Sequence, residues 1–273
     1  MTSTYILPNE NDTAQHHAFR IQPMRTLICF ALKEEAAPFR KIAAGRLGVS
    51  ILLTGIGRPN AEKSVRDFLA GGASVLASRS REASSNETRL ASTLAPPDLM
   101  LTCGFAGGLN PDLKPGDVVF EIPFSNSRRE SAQTESAAKS EPVDAGCHEK
   151  LVAAGAKPAK FFCADRVATT VAEKKKLRDE TGADAVEMES AAIHAVCAER
   201  GIPCATIRVI SDTATEDLPL DFNALAKPDK SLDYGRLLLA IAKSPGKVGA
   251  LMKLQKQTRF AAERLAEVLV KIL

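Results

Sequence analysis

The strongest constraint on the fold is an alternation of short apolar runs with helical patterns along the chain. Six runs of four to six residues are rich in β-branched residues or leucine, and they lie at 26–31, 49–53, 99–103, 117–121, 161–164 and 205–210. Helical spacing of apolar residues follows at 33–44, 59–70, 171–181 and 189–200. Because strands that alternate with helices are typical of α/β proteins, the pattern predicts an α/β fold around a largely buried sheet.

Two polar stretches interrupt this alternation without ending it. Residues 71–97 are rich in Ser, Ala, Gly and Arg, and residues 124–142 in Ser and Glu. Because strands and helices resume after each stretch, we interpret both as surface insertions in one domain that spans residues 25–273. Residues 1–24 are predicted to be a disordered extension, and the Ser-Pro-Gly at 244–246 divides the C-terminal segment into two predicted helices.

Composition argues against several classes of function. A balance of 36 basic and 33 acidic residues is too even for a nucleic-acid or anionic membrane surface, and 5% aromatic residues provide no stacking platform. The six cysteines include no C-x-x-C pair, and the four histidines lack metal-ligand spacing, so we expect free thiols and no metal. No apolar run approaches 18 residues, and a cytoplasmic protein without stable membrane insertion is expected.

Two glycine-bearing motifs follow predicted strands. In residues 54–60 (TGIGRPN), Pro59 suits a helix start whose free N–H groups could hold an anion or a polar sugar. The dinucleotide-binding fingerprint would need Gly or Ala where the chain has Asn60, which excludes a nicotinamide site of that kind. Residues 103–109 (CGFAGGL) place three glycines after an apolar strand, as in a sharp turn or a ligand loop.

Two further motifs carry acidic side chains near the carboxyl ends of predicted strands, where open α/β sheets bind ligands. In residues 185–190 (AVEMES), Glu187 and Glu189 would share one face of an extended segment, although glutamates also favour helix N-termini. The last apolar run contains Arg208, whose burial requires a nearby carboxylate, with Glu187 and Glu189 as candidates. Asp212 follows this run and would be either a catalytic acid or a turn cap.

Together these motifs resemble the nucleoside phosphorylase superfamily, and in particular its 5′-methylthioadenosine/S-adenosylhomocysteine nucleosidase branch. The matching segments, in the order of the family, are residues 31–35 (ALKEE), 54–57 (TGIG), 104–109 (GFAGGL), 186–191 (VEMESA) and 208–214 (RVISDTA). The last two are the most specific. The resemblance implies a three-layer α/β/α sandwich with a mixed central sheet, assembled as a dimer or larger oligomer, with a purine nucleoside as its small-molecule partner.

The resemblance also implies roles for individual residues. Asp212 would protonate or hydrogen-bond N7 of the purine, and desolvation or a neighbouring negative charge would help it to hold its proton. Glu189 would accept hydrogen bonds from the ribose hydroxyls, and Met188 would pack against the ribose. Glu35 would deprotonate the attacking water, and Arg208 would hold a carboxylate in place. No cofactor or metal is implied.

Other residues of the same motifs are expected to line the substrate site. They are Phe105, Ala106, Gly107, Val167, Ala168, Glu187 and Ser211. Phe105 replaces the small hydroxyl residue of the nucleosidases, so its ring would narrow the sugar pocket. Val167 replaces a Phe that commonly stacks on the base, so base recognition would depend on apolar packing and on backbone groups near Val167 and Ala168.

Hydrolysis is favoured over phosphorolysis, because Glu35 beside the nucleophile would repel phosphate. Phosphorolysis stays open as an alternative, with phosphate as a second ligand. Its candidate ligands are Arg25, Arg40, Arg46 and Arg58. Residues 243–247 (KSPGK) resemble the tail of hopanoid-associated phosphorylases, which act on a lipid-linked adenosyl group. A non-catalytic nucleoside sensor is the remaining alternative, but such a protein would not need a general acid.

Overall fold

The computed structural model describes residues 24–71, 96–122, 143–227 and 245–273, together with the separate positions 235, 239 and 242. The expected N-terminal extension, nearly all of the two expected insertions and most of the first expected C-terminal helix lie outside these residues. None of the described helices is both long enough and apolar enough to cross a membrane.

Eight strands of the described chain form one mixed sheet. They are β1 (Thr26–Phe30), β2 (Val49–Leu53), β3 (Leu99–Gly108), β4 (Val118–Glu121), β5 (Lys157–Pro158), β6 (Phe161–Cys163), β7 (Ala185–Glu187) and β8 (Cys204–Asp212). The main order is β2-β1-β3-β8-β4-β5, and β7 pairs with the end of β3 and with β6. The pairings of β3 with β7 and of β4 with β8 are antiparallel, and the others are parallel.

Seven α-helices lie in the described residues. They are α1 (Lys33–Ile42), α2 (Arg58–Leu69), α3 (Val143–Ala153), α4 (Val171–Thr181), α5 (Ser190–Arg200), α6 (Phe222–Leu225) and α7 (Val248–Ile272). The four helices expected from the sequence correspond to α1, α2, α4 and α5. Helix α3 was not expected, because its apolar residues do not form one continuous stripe. A short 3₁₀ turn, Pro245–Lys247, precedes α7 near the expected division.

The central strands pack against helices on both faces of the sheet. Ile28 and Phe30 of β1 belong to a buried cluster with residues of α1 and α7. The alternating residues Leu27 and Cys29 belong to a second cluster with residues of α2 and α5. Because successive residues of a strand point to opposite faces, the result is the three-layer α/β/α sandwich that the resemblance implies. All six cysteines are free, as expected.

The glycine motif at residues 103–109 differs from the expected turn or loop, because it continues β3 beside β8 with one shift in register. Its glycines allow a close approach of side chains to the backbone. A Cβ on Gly104 would lie 2.7 Å from Nη1 of Arg208 and 2.8 Å from Oε1 of Glu35. The strand therefore requires glycine at the point where these two charged side chains cross it.

Candidate active site

A cavity of about 190 Å³ opens beside the carboxyl ends of β1, β3, β7 and β8. All eleven residues expected to be catalytic or substrate-binding line it: Glu35, Phe105, Ala106, Gly107, Val167, Ala168, Glu187, Met188, Glu189, Ser211 and Asp212. Ala31, Leu32, Ile56, Arg166 and Val186 complete the lining. The fold therefore brings together side chains from motifs that are up to 181 residues apart in the sequence, between Ala31 and Asp212.

Arg208 lies behind this cavity, fully buried within β8, and is shared by two carboxylates. Its Nη2 donates to Oε2 of Glu187 and, at 3.1 Å, to Oγ1 of Thr102, and it lies 3.4 Å from Oε2 of Glu189. A buried guanidinium is unfavourable unless it is paired, and both carboxylates considered from the sequence lie within reach. The strand therefore tolerates Arg208 because two acids converge on it.

Glu187 ends β7 and uses both carboxylate oxygens within the protein. Oε2 accepts hydrogen bonds from the backbone N–H groups of Glu189 at 2.9 Å and Ser190 at 2.8 Å, and Oε1 accepts one from the Ser190 hydroxyl at 2.6 Å. Burial favours a higher pKa for Glu187, but Arg208 and these hydrogen bonds together lower the pKa below its ordinary value. Glu187 is thus an anion that supports Arg208 and the start of α5.

Glu189 lies at the N-cap position of α5 rather than in the strand. Its Oε1 accepts a hydrogen bond of 2.9 Å from the backbone N–H of Gly57, which precedes α2 with a φ of 86°. The group bound at this glycine turn is therefore a carboxyl oxygen of the protein itself. Burial raises the pKa of Glu189, and although Arg208 opposes this effect, Glu187 adds to it and the net shift is upward.

Glu35 lies in the first turn of α1 and is buried, with 4% of its surface exposed. Its Oε1 accepts a hydrogen bond from the backbone N–H of Phe105, and its Oε2 one from Leu32, both at 2.9 Å. Burial raises the pKa of Glu35 to about 7, the Phe105 hydrogen bond opposes the rise, and Glu189 adds to it. A carboxyl group with a pKa near neutrality is suited to accept a proton from water.

Asp212 is paired with Lys174, a residue that we did not select from the sequence. Lys174 lies in α4, and its side chain has 0% of its surface exposed. Its Nζ lies 2.6 Å from Oδ2 of Asp212 and donates to the carbonyl oxygens of Thr213 at 2.7 Å and Glu216 at 2.9 Å. The other oxygen of Asp212 accepts a hydrogen bond of 2.6 Å from the Ser211 hydroxyl.

The group beside Asp212 is therefore a lysine, and not the negative charge that the sequence analysis considered as one of two influences on this carboxyl group. For the alternative interpretation as a turn cap, the hydrogen bond that the Asp212 side chain accepts among the described residues comes from the Ser211 hydroxyl and not from a backbone N–H of the following turn. Asp212 instead ends β8 with its carboxylate in the cavity lining.

Asn223 engages both backbone groups of Val167. Its Nδ2 donates to the Val167 carbonyl and its Oδ1 accepts from the Val167 N–H, each at 2.9 Å. Ala168 is the next residue and is buried in the cavity lining. Within the described ranges, no residue hydrogen-bonds to the backbone N–H or carbonyl of Ala168. Of the two backbone positions considered for base recognition, Ala168 has its polar groups available.

The described cavity lining offers little positive charge for a phosphate ion. The arginines considered as phosphate ligands are not part of it: Arg25, Arg40, Arg46 and Arg58. Arg25 pairs with Asp98 at 2.7 Å. Arg166 is the one cation among the described lining residues, and it forms an ion pair with Glu173. Four carboxylate side chains share the same lining.

Comparison with known proteins identifies the family. A sequence model of the phosphorylase superfamily matches residues 20–242. The chain belongs to the phosphorylase superfamily. It is therefore an enzyme of the nucleosidase and nucleoside phosphorylase group.

Individual relatives agree with this family. A 5′-methylthioadenosine/S-adenosylhomocysteine nucleosidase from Shewanella oneidensis is 30% identical over an alignment of 183 residues, and the match covers 58% of this chain and 76% of the relative. An aminodeoxyfutalosine nucleosidase from Helicobacter pylori is 45% identical over 51 residues, so the match spans only 22% of that relative and 19% of this chain. A solved structure of futalosine hydrolase from Helicobacter pylori superposes with a TM-score of 0.57 at 19% identity, covering 91% of this chain and 97% of the other.

Proposed function

We propose that this superfamily member hydrolyses the N-glycosidic bond of a 5′-modified adenosine, of the methylthioadenosine or S-adenosylhomocysteine kind, to adenine and the free sugar. The observation that carries the proposal is that Glu35, with a pKa raised to about 7 by burial, lines the same cavity as Asp212. A group that can accept a proton from water and a group that can act on the leaving base thus share one binding site.

Water is favoured as the nucleophile by the charge of the cavity. Its described lining carries the side chains of four acids, three of which are paired with the buried Arg208 or Lys174, and of Arg166, which is already paired with Glu173. A phosphate dianion would need several free cationic or N–H donors and would be repelled by carboxylates at short range. Glu35 is placed to orient a water molecule instead, because its two oxygens are fixed by backbone N–H groups and its side chain borders the cavity.

Glu189 supports cleavage at the sugar. As the C1′–N9 bond breaks, the bonding electrons leave with the base and the sugar becomes oxocarbenium-like. Glu189 has its Oε1 held by Gly57 and its Oε2 near Arg208, so its position is fixed before substrate binds. The charged form of Glu189, which Arg208 favours against the effect of burial, would be a preorganised negative charge that stabilises the developing positive charge, and the same oxygens can accept hydrogen bonds from ribose hydroxyls. Met188 supplies the adjacent apolar surface.

Adenine is favoured as the base by the backbone of Ala168. Its N–H and carbonyl match the acceptor N1 and the 6-amino donor of adenine. Hypoxanthine and guanine carry a donor at N1 and an acceptor at O6, so both contacts would be mismatched and left unsatisfied in a buried site. Asn223 holds the preceding peptide in place through Val167.

The proposal is tested with a panel of 5′-substituted adenosines, including methylthioadenosine, S-adenosylhomocysteine, 5′-deoxyadenosine and adenosine itself. Release of adenine is followed by chromatography in buffer that contains a chelator. We expect cleavage of at least one 5′-modified member at a higher kcat/KM than adenosine. Absence of adenine release from every member, with folded protein confirmed by circular dichroism, would contradict the proposal.

A further inference from the structure

Lys174 is the first of three consecutive lysines in α4, and it is buried against Asp212. We propose that Lys174 is a positioning residue for Asp212, which it fixes from behind and to which it supplies the proton that Asp212 passes to N7 of the purine. This inference rests on the proposed function, because it assigns the source of the proton for the leaving base.

The geometry around Nζ is the first support. An ammonium group has three N–H donors, and Nζ of Lys174 has three oxygen neighbours at 2.6, 2.7 and 2.9 Å: Oδ2 of Asp212 and the carbonyl oxygens of Thr213 and Glu216. The side chain is fully buried, so no water competes at this distance. Nζ thus donates hydrogen bonds to the two carbonyl oxygens, and its contact with Oδ2 of Asp212 is an ion pair without hydrogen-bond geometry. Among the described residues, Asp212 is the one acidic partner of Lys174.

The second support is the direction from which Lys174 approaches. Asp212 lines the cavity, whereas Lys174 does not. The ammonium therefore lies on the side of the carboxylate away from the substrate site and does not contact a bound nucleoside directly. Any effect of Lys174 on the reaction must pass through Asp212.

The third support is the proton balance. Oδ1 of Asp212 accepts from the Ser211 hydroxyl and Oδ2 lies 2.6 Å from Nζ of Lys174, so Lys174 is the nearest described group that can supply a proton to Asp212. When the C1′–N9 bond breaks, both electrons stay on the base, which leaves as neutral adenine only if N7 gains a proton. One proton moves from Nζ of Lys174 to the Asp212 carboxylate, and the carboxyl group gives a proton to N7.

The cycle closes without another reactant. Water adds to C1′ and gives its proton to Glu35, so one proton is gained there for the one lost by Lys174. Exchange with solvent after product release restores both groups. Lys174 thus returns to the ammonium form that pairs with Asp212 in the structure.

The test compares two leaving groups on the same sugar. Adenine in methylthioadenosine needs a proton at N7, whereas 4-nitrophenolate in the 4-nitrophenyl glycoside of 5-methylthioribose leaves as a stable anion. We expect Lys174→Met to lower kcat for methylthioadenosine by about 10²-fold or more, the scale of lost acid catalysis, but to lower kcat for the nitrophenyl glycoside by only a few-fold. The ratio of the two rates does not depend on the fraction of folded enzyme.

Three controls accompany this ratio. Lys175→Met changes the neighbouring exposed lysine, which pairs with Asp179, and should leave both rates unchanged. In an Asp212→Asn background, Lys174→Met should cause no further loss with methylthioadenosine, because both residues act in one step. Lys174→Arg keeps a positive charge that does not give up its proton, so it should not restore adenine release.

Each outcome has one meaning. Equal losses of kcat with the two substrates would restrict Lys174 to a structural role and overturn the inference. Recovery of kcat by Lys174→Arg to within a few-fold of the parent would restrict Lys174 to charge compensation and would also overturn it.

If Lys174→Met does not fold, the same ratio is measured with Lys174→Gln, whose amide can still donate to the two carbonyls. If the parent itself releases no adenine, the proposed function falls and the inference falls with it; an active parent with an unchanged Lys174→Met ratio overturns the inference alone.

Discussion

Oε1 of Glu189 accepts a hydrogen bond of 2.9 Å from the backbone N–H of Gly57, across 132 residues of sequence. This contact joins the start of α5 to the start of α2 and fixes a carboxylate in the wall of the cavity. The N-terminus of α2, which could have bound an anionic ligand, is thus occupied by a carboxyl group of the protein. The sugar site that we propose is therefore organised by the fold before substrate arrives.

Asp212→Asn should reduce kcat with a 5′-modified adenosine by about 10²-fold or more, the usual scale of a lost proton donor, and should change KM much less. Asparagine keeps the shape of the side chain and can still accept from Ser211, but it cannot carry a proton to N7. Steady-state kinetics provide the measurement, with thermal melting as the control for folding. Turnover within a few-fold of the parent would remove Asp212 from the chemistry.

Glu35→Gln should abolish hydrolysis while preserving nucleoside affinity, because an amide can orient water but cannot take its proton. In the parent, Glu35 must be ionised to act as a base, and its pKa is raised to about 7. We therefore expect kcat/KM, which reports the ionisation of the free enzyme, to fall as the pH decreases below about 7. A pH–rate profile of the parent and calorimetric binding of a substrate to the variant are the two measurements; a flat acid limb would contradict the assignment.

The raised pKa of Glu35 also predicts that the free energy of unfolding depends on pH. The pKa of Glu35 is raised from 4.5 in the unfolded reference to about 7 in the folded protein, so folding favours the protonated form. The contribution of Glu35 is fully present below pH 4.5 and is lost as the pH rises through 7, with an upper scale of ~3 kcal/mol. Glu35→Gln, which stays neutral, should therefore become increasingly more stable than the parent over this range in urea unfolding.

Phe105→Ser should enlarge the cavity at the position proposed for the sugar. It also introduces a small hydroxyl side chain, which is the type of residue that the similar nucleosidases have at this position. Phe105 lines the cavity, and its backbone N–H donates to Glu35, a contact that the substitution keeps. We expect a higher kcat/KM for compact nucleosides relative to bulky 5′-modified ones. Identical substrate preferences in the two proteins would show that the Phe105 ring does not limit the site.

Replacing adenine by hypoxanthine in the substrate tests the role assigned to Ala168. We expect 5′-methylthioinosine to be cleaved at least about 10³-fold less efficiently than 5′-methylthioadenosine, because two buried polar groups would be left unpaired. Asn223→Ala should reduce this discrimination, since it frees both backbone groups of Val167. Comparable kcat/KM values for the two nucleosides in the parent would remove the Ala168 backbone from base recognition.

Much of the site was predictable because its acids follow predicted strands. Glu189 lies two residues after β7, Asp212 is the last residue of β8, and Glu35 lies soon after β1 in the first turn of α1. Residues near the carboxyl ends of strands in such sheets converge on one edge. Arg208 was informative for a similar reason: a charge inside an apolar strand requires a partner, which made nearby carboxylates predictable.

Other features depend on packing that no local pattern encodes. Lys174 belongs to residues 173–176 (EKKK), and it is buried only because α4 packs with this residue facing the protein interior. Lys175 and Lys176 stay exposed, and each forms an ion pair with an acidic residue one turn further along the helix. Asn223 lies in a four-residue helix far from Val167 in the sequence. The glycines of β3 were expected to form a sharp turn or a ligand loop because glycine usually weakens strands, but they continue the strand, and Gly104 makes space for Arg208 and Glu35.

The products formed with and without phosphate test the central claim most directly. The parent is incubated with 5′-methylthioadenosine in phosphate-free buffer and in buffer with saturating phosphate, and adenine and the sugar product are separated by chromatography. We predict equal rates of adenine release and free 5-methylthioribose in both buffers. A rate that saturates with phosphate and accumulation of the sugar 1-phosphate, with Glu35→Gln still active, would contradict hydrolysis and establish phosphorolysis.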